Sequence, residues 1–299
     1  MTVGQELKWR LFYDNAWAMR AAYLRSLIAC GERNVVRLLR RLDAQTRKYR
    51  ITVNAQGTSF TPQPWPAGFD IGPAGVPLLR PTSFRGNASV VPFHTHDNFA
   101  AFIVDYIDQA GPFDAVIELG CGYGRNLFDV YYGGGPSTCR YYGGELTESG
   151  VSLARELAAL EPDMKAEFFS FDYLEPNLDH LPSFDRALVF TAHSIEQVCK
   201  IDAGLFGTIA GVARRVDCVH FEPFGFQVAA LGPASQAHRD QVLENNWNVN
   251  FAEALDEARK TFGIELTCLV TESFLPSDPQ NPTSLAVWHS ERPAEAAAA

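Results

Sequence analysis

Long apolar runs are missing from this 299-residue chain. A membrane-spanning helix needs about 18–20 consecutive apolar residues, so no membrane association is expected. The opening MTVGQELKWRLFYD mixes acid and base before any apolar stretch, which is not the pattern of a secretory leader. Cysteine is sparse and scattered: Cys30, Cys121, Cys139, Cys199, Cys218 and Cys268 form no CxxC pair and no zinc-like spacing. Without a leader, such thiols read as reduced side chains of a cytoplasmic protein. Internal repeats are absent, and only the closing AEAAAA is low in complexity. With 46% hydrophobic and 20% charged residues, the chain is neither collagen-like nor mostly disordered. Its length is enough for about two domains and a large core.

Charge is unevenly spread. Residues 1–50 carry eleven Lys or Arg against four Asp or Glu, a balance of +7 that leaves −17 for the remainder of a chain whose net charge is −10. So acidic a body repels phosphate backbones, and nucleic acid is not expected as a partner. Arg33, Arg37, Arg40 and Arg41 share one helical face opposite Val35, Leu38, Leu39 and Leu42. That face reads first as a solvated one, met by the acidic remainder or by a second subunit of a homodimer. A docking surface for an acidic partner is the alternative.

Residues 6–50 are expected to form two or three amphipathic helices. Residues 51–96 hold seven prolines and are expected to be an irregular or short-stranded connector, a lid or a linker. From about Asp97 strand and helix alternate. Helices are expected at 97–110, 125–134, 147–162, 195–215 and 250–263. Strands are expected at AVIELG, RYYGGEL, KAEFFSFDYL, RALVFTA and VDCVHFEPF, then at IELTCLVTESFL and SLAVWHS. The first five are nearly continuous apolar runs, as in strands buried on both faces. The link PSDPQNPT is too short for a helical crossover, so the last two strands should pair antiparallel. The expected fold is α/β, a doubly wound, mostly parallel sheet with an antiparallel C-terminal hairpin, plus an N-terminal helical and irregular segment over residues 1–96.

The strongest motif is AVIELGCGYGRN, in which Glu118, Gly120, Gly122 and Gly124 sit where a strand hands over to a helix. Gly120 can make the tight turn, Gly122 can let a ligand approach the backbone, and Gly124 can let helix and strand pack closely. The turn and helix N-terminus suit an anionic or polar cofactor tail. The spacing departs from the G-x-G-x-x-G of dinucleotide sites and lacks the Gly-Lys-Ser/Thr ending of a phosphate loop. Cys121, inside the turn, reads as a small residue in a crowded place rather than a nucleophile.

Over about residues 97–290 the sequence resembles the class I S-adenosylmethionine-dependent methyltransferases, whose first motif is (D/E)-x-G-x-G-x-G. The resemblance implies S-adenosyl-L-methionine as cofactor. It places Glu145, at the end of the second strand, on the ribose hydroxyls, as an ionised carboxylate can be. Asp172, after the third strand, would hold the adenine amine, with Phe171 and Tyr173 flanking the purine. Asp172 could also be a helix cap. Glu118 would lie near the amino end of the methionine tail.

Methyl transfer asks for positioning and, with a hydroxyl or ammonium acceptor, for a base. Polar residues past the fourth and fifth strands would face the methyl group: His193, Glu196 and Gln197, then His220, Glu222 and Phe224. His193, His220 and Glu222 are the candidates for catalytic work, the histidines because their pKa suits a base near neutrality. Asn245, Asn246, Trp247 and Asn248 either cap a helix or line a pocket. His94 and His96 with Asp97 fall short of a zinc set, and no metal is expected.

The expectation is therefore an S-adenosylmethionine-dependent methyltransferase domain at 97–299. Residues 1–96 would close over it and supply contacts to a small-molecule acceptor methylated on oxygen or nitrogen. Alternatives are a peptide or protein acceptor and a regulatory protein with a vestigial methyltransferase fold. A nicotinamide-dependent oxidoreductase conflicts with the glycine spacing.

Overall fold

The computed structural model describes residues 3–54, 57–62, 79–84, 87–92, 99–228, 233–278 and 281–292, and side chains at 10–43, 99–228, 236, 238–272 and 282–292. The chain opens with two helices, α1 (Val3–Ala29) and α2 (Val35–Lys48). Two antiparallel hairpins follow, β1 (Tyr49–Asn54) with β2 (Gly57–Pro62) and β3 (Leu79–Phe84) with β4 (Asn87–Pro92). The segment expected to be irregular or short-stranded holds, among its described residues, these four short strands. His94, His96 and Asp97, and the expected boundary at residue 97, lie outside the described residues.

Alternation then begins with α3 (Phe99–Ala110), β5 (Ala115–Leu119), α4 (Arg125–Tyr132), β6 (Arg140–Glu145), α5 (Glu148–Ala158) and β7 (Ala166–Ser170). It continues with β8 (Phe184–Ala192), a 3₁₀ turn at Ile195–Gln197, α6 (Gly204–Ala210) and β9 (Ala213–Glu222). The chain closes with α7 (Gly225–Val228), α8 (Pro233–Asn245), α9 (Phe251–Phe262), β10 (Glu265–Asp278) and β11 (Asn281–Glu291). Seven strands form one sheet in the order β10-β11-β9-β8-β5-β6-β7. The five from β5 to β9 run parallel, and β11 pairs antiparallel with both β9 and β10. This is the expected doubly wound sheet with its closing hairpin. Helices cover both faces. One apolar cluster gathers Phe206, Phe251 and Trp288, and the other gathers Leu24, Leu38, Ile103 and Phe128.

Local chemistry explains the element ends. Asn34 accepts the Arg37 N–H through its side chain at 2.9 Å and so starts α2. Leu38 and Leu42 are fully buried beneath its exposed arginines. Thr147 caps α5 by accepting from Gly150 N at 3.2 Å. The helix expected over 195–215 is instead a 3₁₀ turn, a short helix and the start of a strand. Gly204, Gly207 and Gly211 weaken helix there, while Ala213 pairs with Phe184 and the chain turns extended. Helix α8 was not foreseen: Pro233–Asn245 mixes polar and apolar residues with little apolar periodicity. Among the described residues no helix is long and apolar enough to cross a membrane.

Candidate functional site

Ligands of doubly wound sheets lie beyond the carboxyl ends of the strands, where the strand order reverses. Here the reversal falls at β5, with β6 on one side and β8 on the other. A cavity of about 380 Å³ opens there. The glycine turn forms its floor, the ends of β6 and β8 its sides, and α1 a wall.

The turn requires glycine for steric reasons. Gly120 has φ +75°, and a Cβ on it would stand 2.3 Å from Ser194 Cβ. Gly124 has φ +79°, and its Cβ would meet the Phe168 ring at 2.6 Å, so it does permit the close packing of helix start and sheet. At Gly122 the neighbour is Trp17: a Cβ would lie 3.1 Å from Cζ2 of its indole. The space expected for a ligand is therefore shared with a side chain of α1.

Among the described residues four carboxylates line the cavity, Asp43, Glu118, Glu145 and Asp172, and two of them, Glu118 and Glu145, lie at or next to the ends of the strands beside the glycine turn. Glu118, the fourth residue of β5, is 1% exposed. Its Oε1 accepts from Asn126 Nδ2 at 2.6 Å, and its Oε2 has no hydrogen-bond partner. Burial pushes its pKa up to about 8. Such a group is costly unless a cation or donor meets it. Glu145 ends β6 and accepts from Gly122 N at 3.0 Å, Thr147 N at 3.0 Å and Thr147 Oγ1 at 2.8 Å. Burial raises its pKa, while those donors oppose the rise. A carboxylate offers about four lone-pair directions, so room for a further donor remains.

Phe171, Asp172 and Tyr173 all border the cavity. Asp172 also accepts from Leu174 N at 2.9 Å, so it closes a local turn and faces the cavity as well. The Tyr173 hydroxyl donates to Leu119 O at 2.6 Å and pairs with Ser194 Oγ at 2.7 Å. Its ring stands edge-on to Phe171, centroids 5.2 Å apart.

The three catalytic candidates are dispersed. His193 lines the cavity. Its backbone sits at φ +49°, an uncommon conformation for a side-chain-bearing residue, held in part by its N–H donating to Phe221 O at 2.9 Å. Its Nδ1 lies 3.0 Å from Glu196 Oε2 and its Nε2 lies 2.6 Å from Thr283 Oγ1. His220 is fully buried outside the cavity. Trp288 Nε1 donates to its Nε2 at 2.9 Å, Thr191 Oγ1 lies 3.0 Å from its Nδ1, and burial pushes its pKa down to about 3. It is a neutral core histidine. Glu222 is 2% exposed and does not line the cavity. It accepts from the backbone N–H of Ser194 and Ile195 at 3.2 Å each and of Glu196 at 3.3 Å. Burial raises its pKa to about 7. It secures the turn that carries His193 and Glu196.

Sequence reasoning missed Tyr13, Trp17 and Arg20 of α1, and Asn126 and Ser194, all of which line the cavity. The first three stand at i, i+4 and i+7, one helical stripe, and an aromatic stripe ending in a cation was the available signal. Gln197 borders the cavity, but Asn245, Asn246, Trp247 and Asn248 do not. Asn248 instead accepts from Phe251 N at 2.8 Å at the entry to α9. Cys121 is buried, and burial raises its pKa well above the usual thiol value, against a nucleophile. Among the described residues no group of His, Cys, Asp and Glu is arranged to hold a metal.

No family model matches the sequence, and no curated protein is significantly similar to it. Solved structures do show a likeness. Magnesium protoporphyrin IX methyltransferase from Synechocystis PCC 6803, with bound SAH, is 14% identical with a TM-score of 0.47 over 65% of this chain and 83% of that one. An O-methyltransferase family protein from Burkholderia thailandensis is 13% identical with a TM-score of 0.45, over 66% of this chain and 57% of that one. Geranyl diphosphate C-methyltransferase from Streptomyces coelicolor A3(2) is 14% identical with a TM-score of 0.43, over 65% and 78%. These are likenesses of fold, and what those proteins bind or methylate is theirs. The parallel strands, the glycine turn at the switch point and the antiparallel closing hairpin are those of the doubly wound α/β fold expected from the sequence.

Proposed function

We propose that the chain binds S-adenosyl-L-methionine in the cavity at the carboxyl ends of β5, β6 and β8 and transfers its methyl group to an oxygen or nitrogen of a small molecule. The observation that carries this reading is the pair of buried acids on either side of one glycine turn, one of which, Glu118, has an oxygen without a partner. That oxygen fits the ammonium of the methionine tail, and Glu145 fits the ribose hydroxyls. Asp172, Phe171 and Tyr173 would border the adenine.

When bound, the cofactor supplies a methyl group made electrophilic by its sulfonium. The protein's own contribution is to orient, to exclude water and to take a proton. His193 is the residue proposed for the last task. With Nδ1–H donated to Glu196, its Nε2 lone pair is directed away from that acid, where Thr283 now meets it and where an acceptor hydroxyl or amine would compete. A positioned base of this kind contributes about 10²–10⁴-fold to rate. Glu222 acts at one remove, through the backbone of residues 194–196. His220 takes no part.

The direct test is binding. S-adenosylhomocysteine at one hundred times its dissociation constant should stabilise the protein by about 2.7 kcal/mol, a rise of several degrees in melting temperature. No shift at millimolar ligand overturns the reading. A shift with no methyl gain on any offered metabolite would favour the vestigial alternative.

A further inference from the structure

Another cavity lies at the opposite ends of β6 and β7, and cations gather in it. It holds about 570 Å³, runs along the open edge of the sheet and shares no lining residue with the cavity at the glycine turn. Arg140 opens β6 and Lys165 directly precedes β7, and the register that sets Tyr141 beside Ala166 makes these two positions neighbours. Arg155 reaches in from α5, where its Nε and Nη2 donate to Phe168 O at 3.0 and 2.6 Å. Those bonds fix the guanidinium on the outer edge of β7, and its Nη1 makes no hydrogen bond among the described residues. Elsewhere in the sheet domain cations are neutralised: Arg125, Arg186, Arg214, Arg215, Arg259 and Lys260 each stand 3.5 Å or less from a carboxylate oxygen. Arg140, Arg155 and Lys165 form no ion pair among the described residues. Glu167 is the one carboxylate among the described lining residues. Of the acids nearby in the chain, Glu156 is engaged by Arg25 and Glu161 by Tyr132, and Asp163 does not line the groove.

We propose that this groove binds a phosphate ester, with the phosphoryl group held by Arg140, Arg155 and Lys165 and the carbon part laid on Ala159 and Pro162. Like charges brought together repel, and a chain of net charge −10 has acids to spare for pairing them. Three cations left facing one space therefore point to an anion that is not part of the chain. Three positive charges against the single negative charge of Glu167 leave a surplus of two, which matches a phosphate dianion. The chemistry of the donors agrees. A guanidinium presents planar N–H pairs to phosphate oxygens, and an ammonium adds a compact charge. The acidity of the rest of the body disfavours an extended polyanion and leaves room for a small one. The site is independent of the glycine turn, from which the six residues of β6 separate it by about 17 Å. The proposal therefore stands whatever the cavity beside Glu118 binds.

The test is isothermal titration of the full chain at low ionic strength with glycerol 3-phosphate, and with glycerol as the uncharged control. Glycerol 3-phosphate should bind with a dissociation constant of about 1 mM or tighter, and glycerol should give no heat of binding. Lys165→Gln and Arg140→Gln should each weaken binding about tenfold, and either carries the comparison should the other fail to fold. Lys200→Gln removes an exposed cation outside the groove and should leave affinity unchanged within about twofold. A second arm distinguishes the source of the phosphate. Cosedimentation with phosphatidylcholine vesicles containing phosphatidic acid, lost in the Arg140→Gln/Lys165→Gln double variant, would make the ester a lipid headgroup. Binding of glycerol 3-phosphate without cosedimentation would make it a soluble metabolite. Neither heat at millimolar glycerol 3-phosphate nor vesicle binding overturns the proposal. Equal weakening by Lys200→Gln also overturns it, since the anion would then be answering the overall charge of the protein rather than this groove.

Discussion

Glu145 and Glu222 each end a parallel strand, and each accepts three or more hydrogen bonds from the chain that follows or faces it. They differ in what lies in front of them. Beside Glu145 the turn at Gly122 and the stripe of α1 leave a cavity, so the carboxylate meets both backbone donors and open space. Before Glu222 the chain folds back as the 3₁₀ turn, and its oxygens are directed at the N–H groups of residues 194, 195 and 196. The histidines repeat the contrast. His193 at the cavity sits in strained backbone between Glu196 and Thr283, while His220 is locked into the core by Trp288 and Thr191. A polar side chain at a strand end becomes part of a site when the next segment turns away, and scaffold when it turns back.

The harshest way to break the comparison is to fill the turn on which the cavity depends. Gly120→Ala forces a Cβ to 2.3 Å from Ser194 Cβ at φ +75°. It should cost about 3 kcal/mol or more, lowering the melting temperature by about 5 °C or more, and abolish S-adenosylhomocysteine binding. A normally stable Gly120→Ala protein would show that the turn has a different shape.

Removing each carboxylate in turn sharpens the contrast. Glu222→Ala leaves three backbone N–H groups without an acceptor in a dry place and should destabilise by about 2–4 kcal/mol, read by urea melts. Glu145→Ala opens onto a cavity that water can enter, so it should destabilise less, by about 1 kcal/mol. It should still weaken S-adenosylhomocysteine about tenfold or more. If Glu145→Ala proved the more destabilising of the two, the division into site and scaffold would be reversed.

The smallest expected effect is a pH dependence at Glu118. Its folded pKa of about 8 lies above the ordinary carboxylate value of 4.5, so the native state keeps its proton to higher pH than the unfolded chain does. The stability this confers is full below pH 4.5 and is lost as pH rises toward 8. A bound ammonium favours the ionised form, so affinity for S-adenosylhomocysteine should rise between pH 6 and 8, by about tenfold at most per unit, with proton release detected by calorimetry in buffers of different ionisation heat. Glu118→Gln should flatten the profile, and an unchanged slope would place the titrating group elsewhere.

Much of the fold was legible because its signals are local. Five apolar runs alternating with helical periodicity specify strands buried on both faces, and PSDPQNPT is too short to permit a parallel return. The long helix expected over 195–215 failed because its glycines, its pairing with β8 and the hold of Glu222 on the turn outweigh local periodicity. Helix α8 escaped because its sequence carries almost no apolar periodicity. At the site, Glu118, Gly120, Gly122, Gly124 and Glu145 were visible as a motif on one turn with an acid after the next strand. Tyr13, Trp17 and Arg20 were not, since nothing nearby in the chain indicates that α1 meets residue 122.

What the sequence determined by itself, then, is a parallel α/β sheet with a bare-backbone turn at its switch point, because turn chemistry and side-chain periodicity act over a few residues. Tertiary structure alone decided that His193 faces the cavity and His220 the core, that Glu222 anchors backbone, and that Arg20 enters the site. Those outcomes depend on partners far away in the chain, such as Thr283, 90 residues from His193, whose proximity exists only once burial of both faces of the sheet has brought the segments together.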